Sequence, residues 1–455
     1  MLDCFFNPQS VALVGASLNP EKLSSVIFES LCSRFSGTLY PVNPSHKELG
    51  GRRCYPSISV IKEDLDLAVF ALSAEHIPEM IHDAAGLIRG AVIVSGGFKE
   101  TGAVGAGLEE RLRKAALKEG IRIIGPNCLG IYDTVTGLDT FFIPPVRMER
   151  PGRGGLSILS QSGSFAVTVI DELAAEGIGV ARVISYGNKV DVNESDCLDF
   201  LAADEATKAV VLYMESVEEG RRFVNSASRC VLNKPVAALK VGHSAPAAAA
   251  ARSHTGALAG RYEIYSAAFK KAGVIELGGY EDFLLACRVL GENKESSRGR
   301  RVMVITDGGG IGVAIADECA DLGLDVVPLG ESVVRELGRT LPPVCSISNP
   351  MDLTGSVTDR DFIEALRKTL SKDSYDMAII ASLWGPPGLT DKLPALIAAQ
   401  KKTLNKPIVI CTPGGAYTRE RTGLFRSLEL PVFSTPESAA RAASFIAEGG
   451  KHQWS

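Results

Sequence analysis

Short apolar runs, each closed by glycine or serine and followed by a stretch with helical spacing, recur along this chain. The first is Ser10-Val-Ala-Leu-Val-Gly-Ala-Ser17, a strand running into a glycine turn. Asn19-Pro-Glu-Lys22 then predicts a helix start, with Asn19 as N-cap and Pro20 at the first helical position. Residues 38–42, 67–72, 90–94 and 122–124 are further predicted strands, separated by amphipathic stretches such as 107–119. Strands this continuously apolar, alternating with helices, specify a parallel sheet covered on both faces. Residues 1–142 are therefore expected to form a Rossmann-like domain.

The pattern restarts twice. After the Pro/Gly/Arg-rich stretch 143–155, residues 155–159 predict a strand, Ser160-Gln-Ser-Gly-Ser164 a turn and 165–176 a helix, with later strands at 209–214 and 235–240. After the charged stretch 291–300 come a strand at 301–305, the turn Thr306-Asp-Gly-Gly-Gly310 and a helix at 311–322. Strands at 324–327, 377–381 and 407–410 follow. The expectation is an α/β chain of three consecutive doubly wound domains, 1–142, 143–292 and 298–455, the last two flavodoxin-like. A length of 455 residues fits three domains of about 150 residues each.

Composition narrows the function classes. With 45% hydrophobic and 22% charged residues the chain is ordinary globular material, and a net charge of −5 gives no general attraction to nucleic acid. Ten cysteines without a C-x-x-C pair or metal-ligand spacing read as reduced thiols, with no metal site expected. No apolar stretch approaches the roughly 20 residues needed to span a bilayer, and Met1-Leu-Asp-Cys has no basic leader. A cytoplasmic location is the expectation.

Candidate chemistry sits in small-residue loops. His254 lies in Arg252-Ser-His-Thr-Gly-Ala257, downstream of an alanine run. An exposed neutral imidazole can carry a phosphoryl group on one nitrogen while a carboxylate holds the other; a structural hydrogen bond is the alternative. Glu215, at the end of a predicted strand, is placed to orient it, or is a solvated strand end. Ser160, Gln161, Ser162 and Gly163, and separately Gly309 and Gly310, open helices whose N-termini suit phosphate, or simply serve the turns. The Gly15 turn lacks the full G-x-G-x-x-G, and no acidic residue closes the second strand where a dinucleotide ribose would bind. With Lys22 nearby, this favours a more phosphorylated nucleotide ligand, such as coenzyme A. The other five histidines carry no such context.

Taken together, Val14-Gly-Ala-Ser17, Ile124-Gly-Pro-Asn127 with Gly130, Leu159-Ser-Gln-Ser-Gly163, Tyr213-Met-Glu215, Arg252 to Ala257, Asp307-Gly-Gly-Gly310 and Asn349-Pro-Met-Asp-Leu-Thr354 resemble one family throughout the chain. It is similar to the α subunits of ADP-forming acyl-CoA synthetases, relatives of succinyl-CoA synthetase. The resemblance implies reversible conversion of acyl-CoA, phosphate and ADP to acid, CoA and ATP. It casts His254 as the phosphorylated histidine, Glu215 as its carboxylate, and Ser160, Gln161, Ser162, Gly163, Gly309 and Gly310 as the phosphate cradles. Gly15, Ser17, Lys22, Asn43, Ser73, Ser95 and Asn127 fall in loops that resemble the coenzyme A site. No stretch resembles an ATP-grasp unit for ADP and Mg2+, so the resemblance implies a separate β subunit in an α2β2 assembly. A CoA-binding scaffold without catalysis and an NAD(P)-dependent oxidoreductase are the rival readings.

The chain should bind CoA without any partner. Lys22→Ala should weaken CoA binding by about two- to tenfold at low salt and less as salt rises, because the contact is an exposed charge. Calorimetry reads this, and NAD binding tighter than CoA would overturn the assignment.

Overall fold

A computed structural model describes residues 2–242, 244, 246, 261–292, 299–371 and 373–449. The chain divides into two compact units, 1–284 and 285–455. The first contains two main sheets. One has five parallel strands in the order Thr38–Val42, Ser10–Val14, Leu67–Phe70, Gly90–Ile93 and Arg122–Ile124. Every residue of Ser10–Val14 is buried, as a central parallel strand requires. A short hairpin of Glu48–Leu49 and Arg52–Arg53 stands beside it.

The other sheet runs Ile275–Leu277, Val236–Lys240, Ala209–Met214, Arg153–Ser160, Val180–Ser185 and Gly130–Asp133. Five strands are parallel; Gly130–Asp133 is antiparallel to Val180–Ser185, with Arg182 opposite Asp133. Gly130–Asp133 lies in the stretch expected to form the first domain, yet its backbone completes this sheet. In the second unit a parallel sheet runs Met351–Asp352, Val302–Thr306, Met377–Ala381, Ile408–Cys411 and Val432–Phe433. The five parallel strands of each sheet share one doubly wound order, in which the second in sequence flanks the first and the third to fifth extend on the other side.

Two local expectations change. The helix expected from Asn19 begins at Leu23 and ends at Arg34, because residues 19–22 close a turn instead. Asn19 Oδ1 accepts from Glu21 N at 3.0 Å and Asn19 O from Lys22 N at 2.9 Å. Residues 324–327 form one isolated bridge, Asp325 to Arg301, and no strand. Met351–Asp352 occupies the place beside Val302–Thr306, and Val327 O is taken by Asn349 Nδ2 at 2.9 Å and the Tyr375 hydroxyl at 3.1 Å.

Arg182 is the charged centre of the second sheet's core. Its guanidinium bonds Asp133, and Asp204 at 3.0 and 3.2 Å, and lies 5.3 Å from the Phe6 ring and 5.4 Å from that of Phe200. Among the described residues no helix is long and apolar enough to cross a membrane, and no cluster of His, Cys, Asp and Glu could hold a metal ion. Arg182→Met should leave Asp133, 1% exposed, as an uncompensated buried charge. The expected cost is about 3–5 kcal/mol in denaturant unfolding; a loss below about 1 kcal/mol would show that Arg182 does not hold this core.

Candidate functional site

Parallel strands deliver their loops to one edge, and a doubly wound sheet opens a crevice where the chain order reverses. In the first sheet that point lies between Ser10–Val14 and Leu67–Phe70. The residues expected around coenzyme A gather on this edge: Gly15, Asn43, Ser73, Ser95 and Asn127 each follow one of the five strands. Gly15 has φ +89°, and a Cβ there would lie 2.6 Å from Ala71 O, so the turn requires glycine. Ser17 Oγ accepts from Asn19 N at 3.1 Å, and Asn43 Nδ2 donates to Ala16 O at 2.8 Å. Ser95 Oγ donates to Leu72 O at 2.6 Å, tying two loops together. Lys22 and Ser73 are exposed. Asn43 and Ser95 thus shape the rim, while Lys22 and Ser73 face outward.

The second sheet reverses between Arg153–Ser160 and Ala209–Met214, and Gln161 bridges the gap. Its Oε1 accepts from Glu215 N at 2.9 Å and Ser216 N at 3.1 Å, and its Nε2 donates to Ser216 Oγ at 3.2 Å. Ser160 Oγ donates to Ser162 O at 2.7 Å and accepts from Ser162 N at 3.2 Å. Ser162 caps the helix Gly163–Ala175, accepting from Phe165 N. The result is a preformed helix N-terminus beside Glu215, which is buried. Burial lowers the ammonium pKa of Lys240, against an opposing pull from Glu215. The same carboxylate adds to burial in raising the Tyr213 hydroxyl. His254 lies outside the described residues.

The third sheet repeats this wiring with one change. Thr306 Oγ1 donates to Gly308 O at 3.2 Å and accepts from Gly308 N at 3.0 Å, as Ser160 does with Ser162. Asp307 stands where Gln161 does, accepting from Leu383 N at 2.9 Å across its own point of reversal. The helix Gly309–Asp321 follows, and a Cβ at Gly309 would lie 2.6 Å from Asp352 Oδ2. Burial, with a smaller contribution from Asp352, pushes the Asp307 carboxyl up to about 6.

One segment important to the site was not foreseen from the sequence. Residues 187–192 leave Val180–Ser185 and lie along the end of Arg122–Ile124. Gly187, φ +53°, would place a Cβ 2.2 Å from Asn127 O. Asn188 bonds the side chains of Asn127, Glu100 and Glu109, and the next residue, Lys189, bonds Glu194 at 3.1 Å and Ser216 O at 2.7 Å. The available signal was the Gly-Asn-Lys turn closing an apolar run at 180–185. Arg182 inside that run disguised it as something other than a strand. A cleft of about 470 Å³ opens here, lined among others by Asn127, Leu129, Asn188, Ser162, Gly163 and Val167. None of its described lining residues is charged.

Comparison with known proteins finds three family models along the chain. Residues 9–134 match the CoA binding domain, 153–290 the succinyl-CoA ligase like flavodoxin domain and 302–455 the ligase-CoA domain. The α subunit of ADP-forming acetate–CoA ligase II from Pyrococcus furiosus is 34% identical, over 99% of this chain and 98% of that one. ADP-forming acetate–CoA ligase I from Archaeoglobus fulgidus is 35% identical over 99% of this chain, which spans 64% of that protein's length. The solved dinucleotide-forming acetyl-coenzyme A synthetase 1 of Ca. Korarchaeum cryptofilum, in complex with phosphate and ADP, superposes with a TM-score of 0.93 at 32% identity. That match covers 100% of this chain and 97% of the other.

The Asp307 carboxyl generates a pH dependence of stability. Folding raises its pKa, so the stability it contributes is complete below the unfolded value of 3.8 and is lost as pH rises through about 6. Asp307→Asn keeps an oxygen for the Leu383 N–H and removes the charge. Relative to wild type it should gain stability between about pH 4 and pH 7, by about 3 kcal/mol at most. Denaturant unfolding at both pH values measures this, and a difference that does not change with pH would refute it.

Proposed function

This chain belongs to the family of ADP-forming acetate–CoA ligase α subunits, and from that premise we propose that it catalyses the acyl-transfer half of a reversible acyl-CoA synthetase, with phosphoryl transfer completed on a partner. Acyl-CoA, phosphate and ADP become acid, CoA and ATP. The observation that carries this reading is the Gln161 bridge, which fixes a helix N-terminus and Glu215 together beside a cleft that Asn127 also lines.

CoA fits the carboxyl edge of the first sheet, with Gly15, Ser17 and Lys22 for its phosphates and Asn127 toward the thioester. The Gly15 turn packs on Ala71 O, a fit that only glycine allows, and so fixes the loop that leads to Ser17 and Lys22. Asn43 closes the second strand with its amide turned to Ala16 O, leaving no carboxylate for a dinucleotide ribose; this disfavours the oxidoreductase.

Inorganic phosphate takes the Ser162–Ser164 end of the helix. One of its oxygens attacks the thioester carbonyl, the C–S bond breaks, and CoA leaves as a thiolate that takes up a proton. His254 then attacks phosphorus in the acyl phosphate, and the P–O bond to the acyl group breaks to release the carboxylate. Glu215 holds the other ring N–H and stabilises the charge that develops on the imidazole. Gly309 and Gly310 form a second cradle for the phosphoryl group. An ATP-grasp β subunit, in an α2β2 assembly, supplies ADP and Mg2+. Preformed donors at such a centre are worth about 2.7–4 kcal/mol each. The uncharged cleft lining suits an acyl group without a second carboxylate.

With its β partner, the chain should form ATP from uncharged acyl-CoAs at a kcat/KM at least about tenfold above that for succinyl-CoA, since a second carboxylate would lose its hydration without a countercharge. Labelled phosphate should enter an acid-labile, base-stable protein adduct. His254→Asn should abolish both label and turnover while leaving CoA binding intact. Label retained in that variant would assign the phosphoryl group elsewhere.

A further inference from the structure

We propose that Asn188 is a positioning residue: it locks the orientation of the Asn127 amide in the cleft and so sets which of its groups meets the bound thioester. The proposal rests on the functional reading above. Nothing in the sequence had assigned Asn188 a role.

An amide side chain has two N–H donors on one end and a carbonyl acceptor on the other, so its neighbours decide which way it lies. For Asn188 they leave one choice. Nδ2 donates to Glu100 Oε2 at 2.7 Å and to Glu109 Oε2 at 2.8 Å, and both acceptors are carboxylate oxygens. Flipping the amide would set its carbonyl against both. The Asn188 Oδ1 therefore faces Asn127 and accepts from Asn127 Nδ2 at 3.3 Å. That fixes the second amide in turn, leaving the Asn127 Oδ1 and one Nδ2 hydrogen outside this contact.

The clamps are themselves held. Glu100 Oε1 accepts from Gly97 N at 2.5 Å and Phe98 N at 3.0 Å, and Lys99 Nζ lies 3.3 Å from Glu109. Burial pushes the Glu100 carboxyl up, but the Asn188 amide and the backbone N–H groups of Gly97 and Phe98 outweigh it and hold it below its usual range. The Asn127 backbone is equally constrained: φ is +55°, its N donates to Ser95 O at 2.9 Å, and Gly187 packs on its carbonyl. Asn188 is 5% exposed, and both its donors are engaged. It acts through Asn127, which lines the same cleft as the helix end Ser162–Ser164.

A double-mutant cycle in the full complex with the β partner tests this, using acetyl-CoA, phosphate and ADP as substrates. Asn188→Ala should lower kcat about ten- to a hundredfold, the scale of a misplaced reacting contact, with KM for acetyl-CoA within about threefold. Asn127→Ala should lower it at least as much. The Asn127→Ala, Asn188→Ala double variant should be no slower than Asn127→Ala alone, since the second residue has nothing left to orient. Losses that multiply would overturn the proposal. So would wild-type kcat in Asn188→Ala protein whose thermal midpoint has merely fallen, which is what a structural role predicts. A wild-type complex that forms no ATP from any acyl-CoA would mark failure of the functional reading, and the proposal would fall with it.

Discussion

Three backbone hydrogen bonds bring the two carboxyl edges of the first unit to one cleft. Asn188 N donates to Pro126 O at 2.9 Å, Val190 N to Gly125 O at 3.0 Å and Val192 N to Ile123 O at 3.0 Å. They lay the exit of one sheet's edge along the exit of the other's. One buried apolar cluster runs through both sheets, from Val11 and Leu13 to Leu159 and Leu212, and these bonds add a fixed register between the loops to that packing. Gly187 makes the approach possible, because any side chain there would strike the Asn127 carbonyl. The buried Lys189–Glu194 pair adds position more than net stability, since desolvating two charges offsets most of their attraction. Its ammonium also reaches Ser216 O, next to Glu215. Consecutive residues of one segment thus fix the Asn127 amide and the Glu215 turn.

The three sheets show how one topology is reused with different chemistry. Each opens with a strand, a small-residue turn and a helix, and each reverses its order beside that strand. The residue just after the first strand holds the crevice in the last two: Gln161 through its amide, Asp307 through its carboxylate. The reciprocal hydroxyl–backbone bonds of Ser160 and Thr306 set both turns. In the first sheet no side chain does this work; Gly15 lets the backbone itself pack on Ala71. A polar bridge ties two loops through a side chain, whereas a glycine turn brings two backbones into direct contact.

Much of this was legible in the sequence, because buried parallel strands are written as unbroken apolar runs. Ser10–Val14, Ala209–Met214 and Met377–Ala381 announce themselves in that way. Val180–Ser185 does not, because Arg182 interrupts it, and the partners that make a buried arginine tolerable, Asp133 and Asp204, are far away in sequence. Residues 324–327 read as a strand but lose their ladder position to Met351–Asp352, a competition that local pattern cannot reveal. The site divides in the same manner. Glu215 and Ser160 to Gly163 sit at strand ends and carry recognisable motifs. Asn188 depends on an unforeseen strand and on two glutamates from another sheet's helical layer, so no spacing rule reaches it.

The difference between Gln161 and Asp307 follows from what each stands beside. A bridge at either position needs an oxygen to accept a backbone N–H from across the crevice, and an amide or a carboxylate supplies one equally well. They differ in charge. At Asp307 burial, with a smaller contribution from the Asp352 carboxylate, pushes the carboxyl upward. Beside Gln161 the adjoining acid is Glu215, which in the proposed cycle must carry its charge to hold an imidazole N–H. A second carboxylate there would oppose that charge and weaken the adjacent helix N-terminus toward phosphate. The neutral amide keeps the geometry without adding a like charge, and its Nε2 gains a further bond to Ser216 Oγ that a carboxylate could not donate. The chemistry proposed for the second sheet therefore constrains the bridge as well as the residues that meet the substrate.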